Sequence, residues 1–396
     1  MASTQDSRPR RIAIIGAGVT GLLAAQGLSM NGFDVTVYER HDALEHLVPR
    51  PISFMIHWGY EIIQTLVPPS LWAQIHTVYC NPNASTDVTE GITFYNGHSG
   101  ELLFRSPDGV IKRLLRHKLR KLLTTGIDVK WNKGVKSVSA DEGGKGATVL
   151  FEDGSEEGFD VVIGADGPRS KVREILLGEE KAKCVQSEFV CGYTSTVLGK
   201  ERAEKALKAH SAWTMAYSEM GVCALGVDDA KDPDDVSTWT FNITRIWRGT
   251  SPKIEGDEAV KIIKENTLPF CEPFHSAAEA LENGSSAFVR SLTYWRPVEW
   301  PNHGGRITLA GDSAHAMLPF RGQGVNHSID DASKIVKALV KVSEGEEELG
   351  PAMDAYGAEV VERCAEAVDT AINEGKLVQN MDKLRDMVVA KKGVGK

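Results

Sequence analysis

Apolar residues follow two different patterns along this chain. The first pattern is a short, unbroken apolar run that ends in glycine or an acidic residue, as in RIAIIGAG, FDVVIGADG and GRITLAGD. Such runs are typical of strands buried on both faces of a parallel sheet. The second pattern, from about 185 to 300, alternates apolar and polar residues, as in AWTMAY, VCALGV and TWTFNITRIW. Alternation indicates a sheet with one face against a core or a ligand.

The first pattern contains a complete βαβ unit near the N-terminus. Residues 12–15 predict a strand, a glycine-rich turn and a helix follow, and residues 33–38 predict a second strand. The segments ATVLF and FDVVIG predict further strands near 147–151 and 159–164. Residues 1–10 are polar and are predicted to be loose. The chain is therefore predicted to be an α/β protein.

Helices are predicted in three other places. KRLLRHKLRKLL is typical of a basic amphipathic helix with Leu115, Leu119 and Leu122 on one side. A short helix is predicted at AEKALKAH, within the alternating region. After GRITLAGD the pattern becomes helical again, from about 324 to 345 and into a helical tail. Segments of the first pattern thus flank the second on both sides.

Composition narrows the range of functions. The chain has 396 residues and a formal net charge of −9, which gives no general attraction to nucleic acid or anionic lipid. Its six cysteines form no C-x-x-C pair, and no signal peptide is evident, so we expect reduced thiols, a cytoplasmic location and no metal site. No apolar run reaches the roughly 18 residues of a membrane helix, so no membrane span is expected.

The glycine-rich turn predicts a bound dinucleotide. Gly16, Gly18 and Gly21 stand between a strand and a helix, where glycine allows a tight turn and a close approach of the backbone to a pyrophosphate. Glu39 ends the second strand, where a carboxylate can accept hydrogen bonds from a ribose diol and would repel a 2′-phosphate. This pattern favours FAD or NAD over NADP; a turn with a purely structural role is the alternative.

Three motifs together resemble the class A flavoprotein monooxygenases, which include para-hydroxybenzoate and salicylate hydroxylase. They are the glycine fingerprint with Glu39-Arg40, the segment DGPRSKVR from Asp166, and Gly311-Asp312 with the following Pro319 and Gly322-Gln323-Gly324. The resemblance covers roughly residues 10 to 345 and favours FAD over NAD. A second dinucleotide fingerprint and a redox C-x-x-C are both absent from the sequence, which argues against disulfide reductases and two-domain Baeyer-Villiger enzymes.

The resemblance implies a Rossmann-like FAD-binding domain with an interleaved β-sheet substrate domain and C-terminal helices. The FAD-binding domain would take residues 11–184, with substrate-side segments near 48–110, and resume at 301–396. Residues 185–300 would form the β-rich substrate domain. Class A enzymes bind the nicotinamide cofactor only transiently, so one dinucleotide fold is sufficient for this reading.

The resemblance also assigns cofactor contacts. Asp312 is expected at the ribityl chain of FAD, the Gly322–Gly324 stretch at the flavin ring, and Asp166 at both FAD and the nicotinamide cofactor. Arg116 matches an arginine that relatives use near the ribityl and phosphate groups, and Arg113 is the competing choice. The predicted cofactor-binding residues are Gly16, Gly18, Gly21, Glu39, Arg40, Arg50, Arg116, Asp166, Gly167, Asp312, Pro319, Gly322, Gln323 and Gly324.

The substrate side is less clearly marked. His57 falls where relatives cross the flavin's face, and Tyr193 and Tyr217 lie on strands that are predicted to line the pocket, so these three are the catalytic candidates. Packed core aromatics are the alternative for all three. Some relatives carry arginine where this chain has Thr194, a departure that argues against a small carboxylate substrate.

The sequence hypothesis is an FAD-dependent monooxygenase, reduced by NADPH or NADH. As the resemblance implies, a flavin hydroperoxide would transfer one oxygen atom of O2 to a mid-sized aromatic, polyketide or alkaloid substrate, by hydroxylation or epoxidation. The protein is expected to be a monomer or homodimer without a nucleic-acid partner. The alternatives are an FAD-dependent oxidase or cyclase without net NAD(P)H use, and a binding protein with a vestigial flavin site.

Overall fold

The computed structural model describes residues 10–43, 52–82, 91–109, 111–378 and 380–392. The strands are β1 (Arg11–Ile15), β2 (Asp34–Tyr38), β3 (Ser53–Ile56), β4 (Thr93–Asn96), β5 (Leu102–Arg105), β6 (Lys112–Leu115), β7 (Asp128–Lys130), β8 (Val135–Ala140), β9 (Ala147–Phe151), β10 (Glu156–Phe159), β11 (Val161–Gly164), β12 (Val185–Val197), β13 (Trp213–Ser218), β14 (Gly221–Asp229), β15 (Thr240–Arg248), β16 (Ile254–Glu255), β17 (Ser286–Tyr294) and β18 (Ile307–Leu309).

The helices are α1 (Val19–Met30), α2 (Gly59–Leu66), α3 (Pro69–Trp72), α4 (Arg116–Leu123), α5 (Lys171–Leu177), α6 (Glu179–Ala182), α7 (Lys200–Ala209), α8 (Asp257–Thr267), α9 (Phe274–Glu279), α10 (Asp312–His315), α11 (Gly324–Glu344), α12 (Leu349–Leu377) and α13 (Val388–Lys392). In the part of the chain that the structure describes, none of these helices is both long and apolar enough to cross a membrane.

A parallel five-stranded sheet forms the first layer, with strand order β18-β11-β1-β2-β7. Ile14 pairs with Val37 on one side and Ile163 on the other, and all three side chains are fully buried. The unbroken apolar runs of the sequence are explained by this burial on both faces. The predicted α/β fold with a Rossmann-like βαβ unit is confirmed.

An eight-stranded sheet forms the second layer, in the order β16-β17-β12-β15-β14-β13-β4-β5. Two of its strands, β4 and β5, come from before the alternating region and join it through β13. One face is covered by helices α7, α8 and α9, through Ala203, Ile263 and Phe274. The α8 and α9 helices interrupt a region in which the sequence predicts mainly strands.

One helix prediction needs correction. In KRLLRHKLRKLL only the residues from Arg116 onward form α4, whereas Lys112–Leu115 forms β6. This strand pairs with β3, and Leu114 and Leu115 are fully buried. The pairing with β3 is non-local, and its burial of both leucines outweighs the helical periodicity of the segment. Within α4, Leu119 and Leu123 face the core, while Leu122 is only partly buried.

Candidate FAD and substrate site

The glycine-rich turn joins β1 to α1 and leaves no room for side chains. Gly16 has φ of +107°, and a Cβ there would lie 2.5 Å from the carbonyl oxygen of Ala165. A Cβ on Gly21 would lie 2.2 Å from the carbonyl oxygen of Gly16. Gly18 is the N-cap of α1, so the first N–H groups of that helix are directed toward the turn. The turn can therefore accept a pyrophosphate at a helix N-terminus.

Glu39 lies beside this turn at the end of β2. Its Oε2 accepts a hydrogen bond of 3.0 Å from the backbone N–H of Ala17, and its Oε1 accepts one of 3.1 Å from that of His41. Burial acts to raise the pKa of Glu39, but the hydrogen bonds from His41 and Ala17 lower it overall. Oε1 also lies 2.6 Å from His41 Nδ1, so the second lone pair of Oε2 is the one that can still accept a hydrogen bond from a ribose hydroxyl.

The competing arginines before and within α4 point in different directions. Arg113 donates from Nη2 to Asn242 at 2.9 Å and stacks over Trp213, so it faces the eight-stranded sheet. The Arg116 side chain is surrounded by protein but keeps solvent-accessible surface, as expected for a group that lines a cleft. Burial lowers its pKa, while the carboxylates of Asp312 and Glu39 act against that effect. The geometry therefore favours Arg116 as the cofactor-facing arginine.

Asp166 follows β11 and caps a helix. Its carboxylate accepts hydrogen bonds from the Ser170 hydroxyl and from the backbone N–H of Lys171, the latter at 2.6 Å. Burial raises its pKa, against the effect of these bonds. Gly167 has φ of +84°, a left-handed conformation that favours glycine. Asp166 thus has a structural function at the start of α5, in addition to the cofactor contact predicted from the sequence.

Arg173 ties the Asp166 segment to the Gly-Asp motif. It is 2% exposed and donates from Nη1 to the carbonyl of Ser313 at 2.9 Å and from Nη2 to that of Pro168 at 2.5 Å. The guanidinium also stacks over Trp295, with Cζ 4.6 Å from the ring centroid. One buried side chain therefore fixes the distance between the two motifs that follow β11 and β18.

Asp312 begins α10 at the carboxyl end of β18, and its side chain is exposed. The preceding residue, Gly311, is held by Asp331 of α11, whose Oδ2 accepts from the Gly311 N–H at 2.7 Å and lies 2.6 Å from His315 Nε2. Arg363 donates to the other Asp331 oxygen at 2.7 Å. Although burial opposes it, the charges of His315 and Arg363 hold the pKa of Asp331 below its usual range.

The loop from Pro319 to Gly324 leads into α11 and is anchored to the start of α2. Gln323 accepts a hydrogen bond of 2.8 Å from the Trp58 indole N–H. Asn326 accepts from the backbone N–H of His57 at 3.0 Å. Gly322 has φ of +62° and donates its N–H to the carbonyl of Pro319 at 3.0 Å, and the positive end of the α11 dipole follows at Gly324. This arrangement can stabilise negative charge on a ligand placed against the loop.

His57 is buried beside this loop and is neutral near pH 7. Burial, followed by the charge of Arg321, lowers its pKa to about 4. Its Nε2 lies 3.3 Å from the Asn326 amide nitrogen, and its Nδ1 has no hydrogen-bond partner among the residues described. A neutral imidazole here can exchange hydrogen bonds with a ligand without adding charge.

The second face of the eight-stranded sheet is directed at this loop. Cys191, Tyr217 and Ile246 pack in one cluster with Leu318 and Phe320. Two rows of cross-strand neighbours lie on this face: Tyr217, Val222, Ile246, Cys191 and Arg290 in one, and Met215, Ala224, Thr244, Tyr193 and Phe288 in the other. The second row has small side chains, Ala224 and Thr244, between its larger members. The face can therefore form the wall of an apolar pocket.

Tyr193 and Tyr217 both belong to this wall. The Tyr193 hydroxyl donates to Asp228 Oδ1 at 3.2 Å and accepts from the Ser53 N–H at 3.4 Å. Burial, then the Asp228 charge, raises its pKa well above the usual value. Tyr217 is 1% exposed and stacks on Phe94, and burial likewise raises its pKa. Both phenols therefore stay protonated, and their catalytic roles stay predictions.

Comparison with known proteins identifies the family. A family model described as FAD binding domain matches residues 10–371. The FAD-dependent monooxygenase phnB of Penicillium herquei is 32% identical over 391 residues, covering 96% of this chain and 94% of that protein. This chain belongs to the FAD-dependent monooxygenases. Another member, cctM of Talaromyces islandicus, is 31% identical over 95% of this chain and 94% of its own length.

Solved structures show the same fold as this monooxygenase. HpxO of Klebsiella pneumoniae, complexed with FAD and uric acid, aligns with a TM-score of 0.75 at 19% identity, covering 98% of this chain and 93% of that one. A salicylate hydroxylase substrate complex aligns with a TM-score of 0.74 at 19% identity, covering 97% and 92%. The predicted resemblance to aromatic-ring hydroxylases is confirmed at the level of family and fold.

FAD fits the cleft of this monooxygenase. Its glycine turn leads directly into the N-terminus of α1, and Glu39 is kept ionised beside it. Arg116 and Asp312 retain accessible surface between the turn and the α11 loop. Arg40 is exposed just after β2, Pro319 is exposed at the start of the loop, and Arg50 lies outside the described residues.

Two buried residues that hold the cleft of this monooxygenase in shape, Arg120 and Asp331, were not among the predicted site residues. Arg120 donates from Nε to the carbonyl of Ala17 at 2.7 Å, so it holds the backbone of the glycine turn in place. Its position four residues after Arg116 on α4 is the signal that could have revealed it. Asp331, which holds Gly311, lies within a helical run where the sequence offers no comparable signal.

A buried donor cluster in the monooxygenase has the residue types of a metal site. Donor atoms of His315, Asp331 and Cys364 lie within 4.8 Å of one another. However, the Arg363 guanidinium donates to Asp331 and, from Nη1 at 3.1 Å, to Cys364 Sγ. The Asp331 charge raises the pKa of His315 well above its usual value despite burial, so the imidazole is also cationic. Both Asp331 oxygens are thus engaged by cationic side chains, Glu359 is the second carboxylate on Arg363, and the cluster is an ion-pair network.

Proposed function

We propose that this monooxygenase uses NADPH or NADH as reductant and inserts one oxygen atom of O2 into a mid-sized aromatic or polycyclic substrate, such as an aromatic polyketide or alkaloid. The observation that carries the proposal is the apolar sheet face, with Ala224 and Thr244 at its centre, opposite the loop that precedes α11. The relatives include fungal monooxygenases, and two structural neighbours are complexes with uric acid or a substrate.

The chain's residues would hold FAD along the cleft. Gly16, Gly18 and the α1 N-terminus would bind the pyrophosphate, with Arg116 beside it. Glu39 would accept a hydrogen bond from a ribose hydroxyl, and Asp312 would accept hydrogen bonds from the hydroxyls of the ribityl chain. When bound, FAD supplies the electron transfer from the nicotinamide and the activation of O2.

The Gly322–Gly324 loop would stabilise negative charge on the flavin ring, because its backbone and the α11 dipole face it. His57 would serve as a neutral hydrogen-bonding group at the same place. The apolar rows of the sheet would exclude water and fix the substrate ring, and positioning of this kind contributes most when the reactive group is protected from solvent. Tyr193 and Tyr217 would contribute to this wall, where a phenol could also orient a substrate hydroxyl.

The first experiment is a reduction assay on the purified holoenzyme. The visible flavin band is followed without oxygen after addition of NADPH or NADH, with and without candidate aromatic substrates. Bleaching that a substrate accelerates, followed by transfer of 18O from labelled O2 into product, is the expected result. A bound flavin that neither nicotinamide reduces under these conditions would contradict the proposal and favour an oxidase or cyclase of the same fold. A protein that binds no FAD would contradict both.

A further inference from the structure

Arg290 is the one charged residue in an otherwise uncharged row of the sheet. It lies in β17 directly opposite Cys191, in the row that continues through Ile246 and Val222 to Tyr217. These four neighbours belong to the cluster that packs against the α11 loop. Cross-strand partners point to the same face of a sheet. The Arg290 side chain therefore leaves the sheet on the cleft side.

Electrostatic effects agree with this placement. Burial raises the pKa of the Cys191 thiol to about 11, and the Arg290 charge acts against that rise. Burial lowers the pKa of Arg116, and the same Arg290 charge adds to that lowering. Arg290 is thus close enough to both groups to act on them.

The two arginines differ in what balances their charge. Arg116 has the carboxylates of Asp312 and Glu39 within electrostatic range. Among the residues that the structure describes, Arg290 forms no hydrogen bond or ion pair, and its guanidinium lies over the Phe288 ring, 5.2 Å from Cζ to the centroid. The guanidinium is exposed. Its donors are therefore available to a ligand.

We propose that Arg290 selects substrates that carry an anionic oxygen group, a carboxylate or an ionised phenol, on the aromatic framework. A ring held in the cleft beside Arg290 would present an acidic substituent to the guanidinium, which can bind it with two parallel hydrogen bonds. The proposal deepens the proposed function and rests on it, because it names the chemical class of the substrate at the same site.

A phosphate of FAD or of the nicotinamide would offer the same anionic chemistry. The FAD phosphates already have the glycine turn, the α1 N-terminus and Arg116, all of which belong to the parallel-sheet layer. Arg290 instead belongs to the row of apolar side chains that forms the opposite wall. This position favours the substrate as the source of the anion. The test distinguishes an anionic substrate from a phosphate of FAD and from a phosphate of the nicotinamide cofactor.

The test compares two ligands that differ only in a carboxylate, 2-naphthol and 3-hydroxy-2-naphthoate, at pH 7.5. Each is titrated into the holoenzyme, and its Kd is read from the change in the flavin absorption spectrum. We expect wild-type protein to bind the acid roughly ten- to a hundredfold more tightly, the range for a charge-assisted hydrogen bond. Arg290→Gln should abolish this preference and leave binding of 2-naphthol unchanged, and Arg290→Lys should retain part of it.

Arg202→Gln is the matched control, because it removes an exposed arginine from α7, on the opposite side of the same sheet. It should keep the wild-type preference for the acid. Bound FAD per chain and the KM of NADPH and NADH in flavin reduction are measured for every variant. A loss of FAD or a raised nicotinamide KM in Arg290→Gln, with the preference for the acid unchanged, would assign the anion to a cofactor and overturn the proposal.

Equal binding of the two ligands by the wild-type protein, or binding of neither, would also overturn it. These readouts do not depend on turnover. A protein that binds the acid selectively through Arg290 but inserts no oxygen would therefore contradict the proposed function and leave the anion site standing.

Discussion

The carboxylate of Asp331 accepts a hydrogen bond of 2.7 Å from the backbone N–H of Gly311, the residue immediately before Asp312. The bond connects the middle of α11 to the turn that presents the predicted ribityl contact. The same carboxylate pairs with the buried His315 and with the partly buried Arg363, which also pairs with Glu359. One side chain thus supports both the stability of the layer and the geometry of the cleft.

Asp331→Asn should destabilise the protein strongly, because it leaves the fully buried His315 without its carboxylate partner, whereas Arg363 keeps Glu359. Breaking a buried pair in this way costs about 3–5 kcal/mol. The measurement is urea unfolding without added FAD, together with the Kd for FAD, which should rise because Gly311 loses its carboxylate acceptor. Asp369→Asn removes the exposed partner of Arg296 and should cost at most about 1 kcal/mol. Equal losses in the two variants would refute this account.

Gly16→Ala should abolish FAD binding. The added Cβ would lie 2.5 Å from the Ala165 carbonyl oxygen, at a φ of +107° that alanine rarely adopts. Bound flavin per chain after purification is the readout. Gly158→Ala is the control, since a Cβ there meets nothing within 4 Å. A Gly16→Ala protein with a full complement of flavin would show that the turn does not need its close approach to Ala165.

Arg116 and Arg120 should separate cofactor binding from folding. Arg116→Gln should raise the Kd for FAD about tenfold or more while leaving the stability of the apoprotein unchanged, since the side chain lines the cleft. Arg120→Met should lower the stability of the apoprotein by about 1–3 kcal/mol, because the Ala17 carbonyl loses a buried donor. Fluorescence titration with FAD and urea unfolding of the apoprotein distinguish the two. If both variants lost the same stability, Arg116 would have a structural role instead.

His57 should make the protein sensitive to acid. In the unfolded chain a histidine titrates near pH 6.5, whereas burial and the Arg321 charge lower the pKa of folded His57 to about 4. Protonation therefore favours the unfolded chain, and stability falls as the pH decreases from about 6.5 to about 4. His57→Gln should reduce the stability lost between pH 7 and pH 5 by about 2 kcal/mol.

Unfolding in urea at the two pH values measures this difference. His327, whose pKa burial lowers to about 3, leaves part of the acid sensitivity in place. His76→Gln removes an exposed histidine and should keep the wild-type dependence on pH. If His57→Gln and the wild-type protein lost the same stability, His57 would not be held neutral by its surroundings.

The fold could be predicted because its signals are local. The βαβ unit, the glycine turn and the acidic ends of β2, β11 and β18 each fall within a few residues, and the predicted architecture is confirmed. What the sequence could not provide are relationships set by long-range register. Arg113 lies in β6 and Arg116 lies at the start of α4. Their side chains point in different directions because β6 is a strand paired with β3, and this pairing is not evident from the sequence. The inward position of Arg290 likewise depends on its pairing with Cys191.

The position of β18 in the chain has a consequence for the order of events during synthesis. This strand completes the parallel sheet by pairing Ile307 with Val162, and it follows every strand of the eight-stranded sheet. As the chain leaves the ribosome, the strands of the eight-stranded sheet can pair before the strand that leads to the Gly-Asp motif has emerged. The pairing of β18 with β11 is slow to form, because a long loop must close first. Any FAD binding that depends on Asp312 therefore has to follow this late pairing.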